Sequence, residues 1–191
     1  FMNLRRAPFN HPLVRQAMVE SFDFESTNAR LFYGAYRRSN SFFTNSNMAA
    51  SGRPQGSELR LLQSLGNTLN PTVLSRNVPE PPQTDLKNGI RPNLIKARTL
   101  LEKAGYRYRN GKLTDRLGNP LAFEFLNAGK AYGRITAKWQ RDLAKIGVTM
   151  HIRTVDPAVY QKRLDNFDFD MTITVYGNSE SPGNEQRDYF G

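Results

Sequence analysis

Apolar residues recur at helical spacing behind Pro12. Leu13, Val14, Ala17, Met18 and Phe22 form one stripe, and proline suits a first turn, so a helix is predicted over residues 12–21. A second short helix is predicted from a Ser26 or Thr27 cap to about Tyr33, closed by Gly34. Over residues 35–93 the periodicity fails. Asn, Ser, Gly and Pro are frequent there, one helix-like run covers 58–65, and 79–89 is a polar, Pro-containing connector.

Regular patterning resumes at Asn93, read as the cap of a helix with Leu94, Ala97, Leu101 and Ala104 on one side and Gly105 at its end. Residues 106–108, 112–114 and 121–126 read as strands, the first two joined by an Asn110-Gly111 hairpin turn. A helix is predicted over 132–146, a strand over 148–155, and a helix from Asp156-Pro157 to about Leu164. In 168–175, Phe169 and Met171 stand among β-branched residues, as in a strand covered on both faces. The order strand, helix, strand, helix, strand predicts an α/β fold with a mixed sheet, flanking helices and right-handed crossovers. One domain is expected over 1–191, with a loop-rich excursion over 35–93 and a regular α/β part over 94–191.

The last predicted strand stops where chemistry can begin. Tyr176 and Gly177 open a polar passage in which Asn178, Ser179, Glu180 and Ser181 offer donors and acceptors just past a strand's C-terminal end. Open α/β sheets bind ligands at that edge. Tyr176 is suited to pack on a ligand or to cover the sheet's end, and Gly177 would let a ligand backbone approach closely. Ser179, Ser181 and Asn184 suit a ligand's main chain or the loop's own amides. Arg187 suits a ligand carboxylate or a neighbouring acid such as Asp188, and Arg163 suits the cleft or the solvent.

Composition narrows the chemistry. The chain has 191 residues, 38% of them hydrophobic, enough for one ordinary core. Cysteine is absent, which removes thiol nucleophiles, disulfides and thiolate metal sites but leaves the compartment open. His11 and His151 are the only histidines and have no evident third ligand, so no metal site is expected. His11 precedes a helix-starting proline and reads as a cap or surface group; His151 reads as a surface side chain on a strand. Residues 52–56 lack the Lys-Ser/Thr ending of a phosphate loop, and no cofactor is expected. No apolar run reaches the roughly 20 residues that span a bilayer.

Two rival functions are weighed. Asp168 and Asp170 share a strand face by the period of two, which suits a small hydrolase's acid-base pair or, as is preferred, the management of a strand entrance near Asp165. No enzyme is expected. The net charge of +10 raises a basic nucleic-acid-binding domain as the alternative function. The 27 Lys and Arg residues are spread out, however. Tyr106, Arg107, Tyr108 and Arg109 are the best base-stacking candidates, and a hairpin with one solvated face is the preferred reading. No nucleic-acid partner is expected.

Several segments resemble one family in order. These are Asn3-Leu4-Arg5-Arg6-Ala7-Pro8-Phe9, Pro12-Leu13-Val14-Arg15-Gln16-Ala17, Ser21-Phe22-Asp23-Phe24-Glu25, the stretch 94–105, Val155-Asp156-Pro157-Ala158-Val159-Tyr160, and Ser181-Pro182-Gly183-Asn184-Glu185-Gln186-Arg187. The pattern resembles the oligopeptide and dipeptide solute-binding proteins of ABC transporters, family 5, and is most similar to their YejA-like branch. The resemblance implies a periplasmic-binding-protein fold of type II, of which this chain looks like the C-terminal lobe. It further implies a peptide ligand held between this and an N-terminal lobe, delivery to permease subunits powered by a cytoplasmic ATPase, and a periplasmic location. The chain shows no basic-then-apolar leader, so export is an inference from the resemblance. Tyr176, Gly177, Asn178, Ser179, Glu180, Ser181 and Arg187 are the implied ligand-binding residues. Many family members have, four residues before the loop proline, an Asp that pairs with the peptide's free ammonium; counting back from Pro182 puts Asn178 there. A blocked or formylated ligand terminus, or a substitute role for Glu180, is the expected consequence.

Overall fold

In α1 (Pro12–Glu20), proline sits in the first turn and the His11 side chain caps the helix, its Nδ1 accepting the Leu13 N–H at 3.2 Å. The helix buries Val14, Ala17 and Met18 and packs against α5 (Arg91–Lys103), which buries Leu94, Ala97 and Leu101. These observations come from a computed structural model that describes residues 1–44, 46–85, 87–175, 177 and 183–190. It divides into two units, Phe1–Tyr36 with Pro82–Val175, and Arg37–Pro81 with Tyr176–Gly191.

Two helix starts differ from expectation. The cap of α2 (Phe24–Phe32) is Asp23, whose carboxylate accepts the Ser26 N–H at 3.2 Å, rather than Ser26 or Thr27. A carboxylate at that position also favours the positive end of the helix dipole. Helix α5 starts two residues before Asn93 because Pro92 already fits its first turn. Asn93 is instead buried inside it, donating to the Gln83 carbonyl at 3.1 Å.

The hairpin of β1 (Arg107–Arg109) and β2 (Lys112–Thr114) turns through Asn110 and Gly111 at φ 47° and 83°, the left-handed pair that a tight hairpin favours. Then follow β3 (Ala122–Ala128), α6 (Gly133–Lys145), β4 (Thr149–Val155), α7 (Pro157–Asp165) and β5 (Met171–Thr172). The sheet order is β4-β3-β5, all parallel, with Phe125 opposite both Ile152 and Met171. Its mixed character comes from an antiparallel bridge between Met2 and Met171. The Asn3 N–H donates to the Asp170 carbonyl and the Thr172 N–H to the Phe1 carbonyl, each at 2.8 Å.

Strand β5 is shorter than the expected 168–175. Phe167 is left-handed at φ 52°, and the Asp170 carboxylate accepts the Glu124 N–H at 2.8 Å, holding the ladder position next to the Phe125–Met171 pair. The core is built from this sheet together with α1, α5, α6 and the β1–β2 hairpin. It includes Phe9, Met18, Leu101, Leu113, Phe125, Leu143 and Met150, with the Phe9 ring edge-on to Phe123 at 4.9 Å between centroids.

The second unit carries α3 (Gly56–Ser64), α4 (Thr72–Ser75) and α8 (Glu185–Phe190). No described residue in 37–81 is buried. Helix α8 falls where a loop was expected, because its only apolar residues stand at its very end and leave no stripe to read.

Candidate functional site

The C-terminal edge of the parallel sheet is formed by Asn127 and Ala128 of β3, Val155 of β4 and the exit of β5 at Thr172. Strand β3 is apolar through Phe123, Phe125 and Leu126, which is followed by Asn127, 2% exposed, whose Nδ2 has no hydrogen-bond partner among the described residues. A buried amide that lacks a partner costs about 1–3 kcal/mol, so a native chain retains one where something else uses it. Sequence reading ended the strand at Leu126 and passed over Asn127; its signal was a lone amide directly after an apolar run.

Beside it, α7 fixes the exit of β5. Asp156 caps that helix by accepting the Ala158 and Val159 N–H groups at 3.1 and 3.0 Å. One turn on, the Tyr160 hydroxyl donates to the Ile173 carbonyl at 2.8 Å and lies 2.7 Å from Thr172 Oγ1, which donates to the Leu126 carbonyl at 3.0 Å. The chain therefore leaves the sheet on a fixed course, and Val175 is 82% exposed at the threshold of the expected ligand loop.

Among the expected site residues, Tyr176, Asn178, Ser179, Glu180 and Ser181 lie outside the described residues. Gly177 is exposed, and no described atom lies within 4 Å of where a Cβ would stand, so packing does not demand glycine there. Arg187 is exposed on α8 and makes no ion pair among the described residues, Asp188 included. Neighbours in sequence point to different sides of a helix. Arg163 is partly buried and engaged within the fold: it pairs with Glu124 at 2.8 Å and with the Asp168 carboxylate at 3.1 Å.

The acidic cluster serves the fold. Arg6 reaches Asp168 at 3.0 Å and Asp170 at 3.8 Å, tying the N-terminal segment to the entrance of β5. The hydrogen bond from Arg6, then the charge of Arg163, hold the Asp168 carboxyl below its ordinary value. Both carboxylates are thus tied to Arg6, and Asp170 also holds the Glu124 N–H, so their contacts belong to the strand entrance. His151 is exposed on β4. At the β1–β2 hairpin, the Arg98 guanidinium lies 4.3 Å above the Tyr108 ring centroid, and Arg107 donates to the Glu102 and Tyr106 carbonyls. One stacking face of Tyr108 is thus already covered, as the plain hairpin reading expects.

Sequence comparison places the chain among known proteins. The profile described as bacterial extracellular solute-binding proteins, family 5 Middle, matches residues 1–191. The chain is 39% identical over 190 residues to the probable peptide-binding protein YejA of Agrobacterium fabrum, covering 99% of this chain and 31% of that protein. It is 39% identical over 185 residues to the peptidoglycan-binding protein YepA of the same organism, covering 96% and 30%. In structure it is similar to the oligopeptide-binding protein AppA of Bacillus subtilis solved with a nonapeptide, with a TM-score of 0.63, 21% identity, and coverage of 96% of this chain and 31% of that one. The fold is that of the type II periplasmic binding proteins. The chain spans less than a third of the length of these relatives. It belongs to the bacterial extracellular solute-binding proteins of family 5.

Proposed function

We propose that this chain is one lobe of the substrate-binding component of a peptide ABC importer, which captures oligopeptides in a cleft shared with a second lobe and delivers them to a membrane permease outside the cytoplasm. The family match along the whole chain carries this reading, and the relatives' names point to peptide and peptidoglycan ligands. The sheet edge supplies a mechanism. Clamp-type peptide binders pair main-chain groups with the ligand backbone, and the buried Asn127 Nδ2, without a partner among the described residues, is a preorganised donor for a ligand carbonyl. The passage following Val175 in sequence, with Tyr176, Gly177, Asn178, Ser179, Glu180 and Ser181, contributes further ligand contacts, and Arg187 a positive charge. No step of this reading is catalytic, and none needs a cofactor.

The neutral Asn178 shapes the ligand. An ammonium buried against an amide forgoes a charge-assisted bond worth about 2–5 kcal/mol, so the protein favours peptides whose N-terminus is blocked. Calorimetric titration of the full-length protein with a peptide library and its N-formylated counterpart tests both levels. Tighter binding of the formylated set is expected. Preference for the free amine would overturn the blocked-terminus reading, and binding of neither set would overturn the peptide reading.

A further inference from the structure

A groove separate from the sheet edge runs between α2 and α6 and encloses about 880 Å³. Leu31, Ala29 and Ala137 contribute apolar lining, and charged side chains stand around it. Each carboxylate there is already engaged. Lys138 bridges Asp23 and Asp142 at 2.8 and 2.9 Å, and Lys145 adds a bond to Asp142 at 2.7 Å. Glu25 accepts the Thr84 N–H and hydroxyl, and Asp85 accepts from Asn88. The cations are not balanced in the same way: Arg30, Arg134 and Arg141 all line the groove, are exposed, and have no ion pair or side-chain hydrogen bond among the described residues.

A second feature continues from the groove. Two residues past Leu31, Tyr33 is 94% exposed and held at φ 52°, a left-handed conformation uncommon for a residue with a side chain. The loop behind it is clamped, because Asn28 donates to the Tyr36 carbonyl at 2.6 Å and accepts the Tyr36 N–H at 3.1 Å. An exposed aromatic on a fixed loop, adjoining unpaired arginines and an apolar floor, has the composition of an interface hot spot.

We propose that the α2–α6 groove and Tyr33 form a docking surface for an acidic, amphipathic segment of a partner protein, which, resting on the importer reading above, is the permease. Charge complementarity selects acidic side chains, and the apolar floor selects an apolar anchor between them. Arg134 and Arg141 stand seven residues apart on α6, about 10 Å along its axis. That spacing suits a chain bearing several carboxylates rather than one small anion.

The test uses the purified full-length protein and a labelled twelve-residue peptide of Glu and Leu, with a Lys-for-Glu twin as control, read by fluorescence anisotropy. The Glu peptide is expected to bind, to weaken as salt rises, and to lose at least ten-fold in affinity in the Arg134→Ala/Arg141→Ala double variant and about ten-fold in Tyr33→Ala. Binding of oligopeptide ligand, titrated in the same samples, is expected to stay unchanged, which also shows that the variants are folded. Equal binding of the Lys twin, no loss in the double variant, or displacement by citrate at a concentration that matches the peptide would overturn the proposal. So would resistance of Arg134 and Arg141 to phenylglyoxal in the full-length protein, since the groove would then be covered by its own polypeptide. If the Glu peptide binds as expected while no oligopeptide does, the surface stands for an acidic partner, and the importer reading falls with the permease as its occupant; the reverse result removes the docking surface alone.

Discussion

Three residues show how single positions divide between fold and function. Replacing Asn127 by Leu removes a buried amide whose Nδ2 has no partner among the described residues and fills similar space. Stability to denaturant is expected to hold or rise, because the desolvation cost disappears, while the full-length protein loses at least five-fold in peptide affinity. Lower stability with unchanged affinity would assign the amide to the fold instead. Gly147 is the opposite case: at φ 82°, a Cβ there would stand 2.8 Å from the Leu113 nitrogen and from a Tyr108 ring carbon. Its own carbonyl accepts the Leu113 N–H at 2.8 Å, so the backbone cannot easily withdraw. Gly147→Ala is expected to cost about 2–4 kcal/mol by denaturant unfolding, and a loss under 1 kcal/mol would contradict this contact. For Asp23, burial alone would raise the carboxyl, but hydrogen bonds from Lys138, Thr84 and the Ser26 N–H outweigh it and leave it below its ordinary 3.8. A depressed folded-state value stabilises above the unfolded value and is lost as pH falls through the folded one. Stability is therefore expected to decline below about pH 4, and the Asp23→Asn variant to show a shallower decline. An identical acid limb in both would remove Asp23 from the account.

Elements were legible where one local signal dominated. The proline-led starts of α1 and α7, the Asn110-Gly111 turn, and the β3–α6–β4–α7–β5 alternation were all readable from spacing and turn chemistry. What was not legible depends on partners distant in sequence. Strand β5 is short because Asp170 bonds to β3, 46 residues earlier, and because the first residues of the chain pair with it. Asn3, 2% exposed, donates through its Nδ2 to the Phe167 and Phe169 carbonyls at 2.9 and 2.8 Å, closing the kink around Phe167. No pattern in the segment 167–175 announces that a side chain from the far end of the sequence will satisfy it. Asn3→Ala leaves two carbonyls without their donor and is expected to cost about 2–3 kcal/mol; an unchanged denaturation midpoint would mean that water replaces the amide fully. The candidate site divides similarly. Its place at the strand ends followed from topology, whereas the Asn127 amide and the Tyr160 clamp required knowing which strand is central and which helix follows the edge.

At the scale of the molecule, the two units differ in what holds them. The first unit buries a shared core of Phe, Leu, Met and Val side chains among a sheet and helices α1, α5 and α6, with a Lys138-bridged carboxylate pair at its margin. In the second, α3 buries no residue, Leu61 is 66% exposed and Leu65 48%, and bonds within 37–81 such as Asn40 to Glu80 at 3.1 Å are exposed to solvent. Backbone held by exposed local hydrogen bonds opens at much lower cost than a buried core does. Protease attack on the isolated 191-residue chain under native conditions is therefore expected to begin within 37–81, at Arg60 or Arg76 for trypsin, while Arg98, Lys103 and Lys138 in the first unit are cut later. Hydrogen exchange should rank the units in the same order. First cleavage within α5 or α6 would mean that the second unit is stabilised by more than its own contacts. If the full-length protein resists cleavage at 37–81 where the isolated chain does not, the missing stabilisation comes from the rest of the polypeptide, and the exposed face of α3 is then a surface that the longer protein covers.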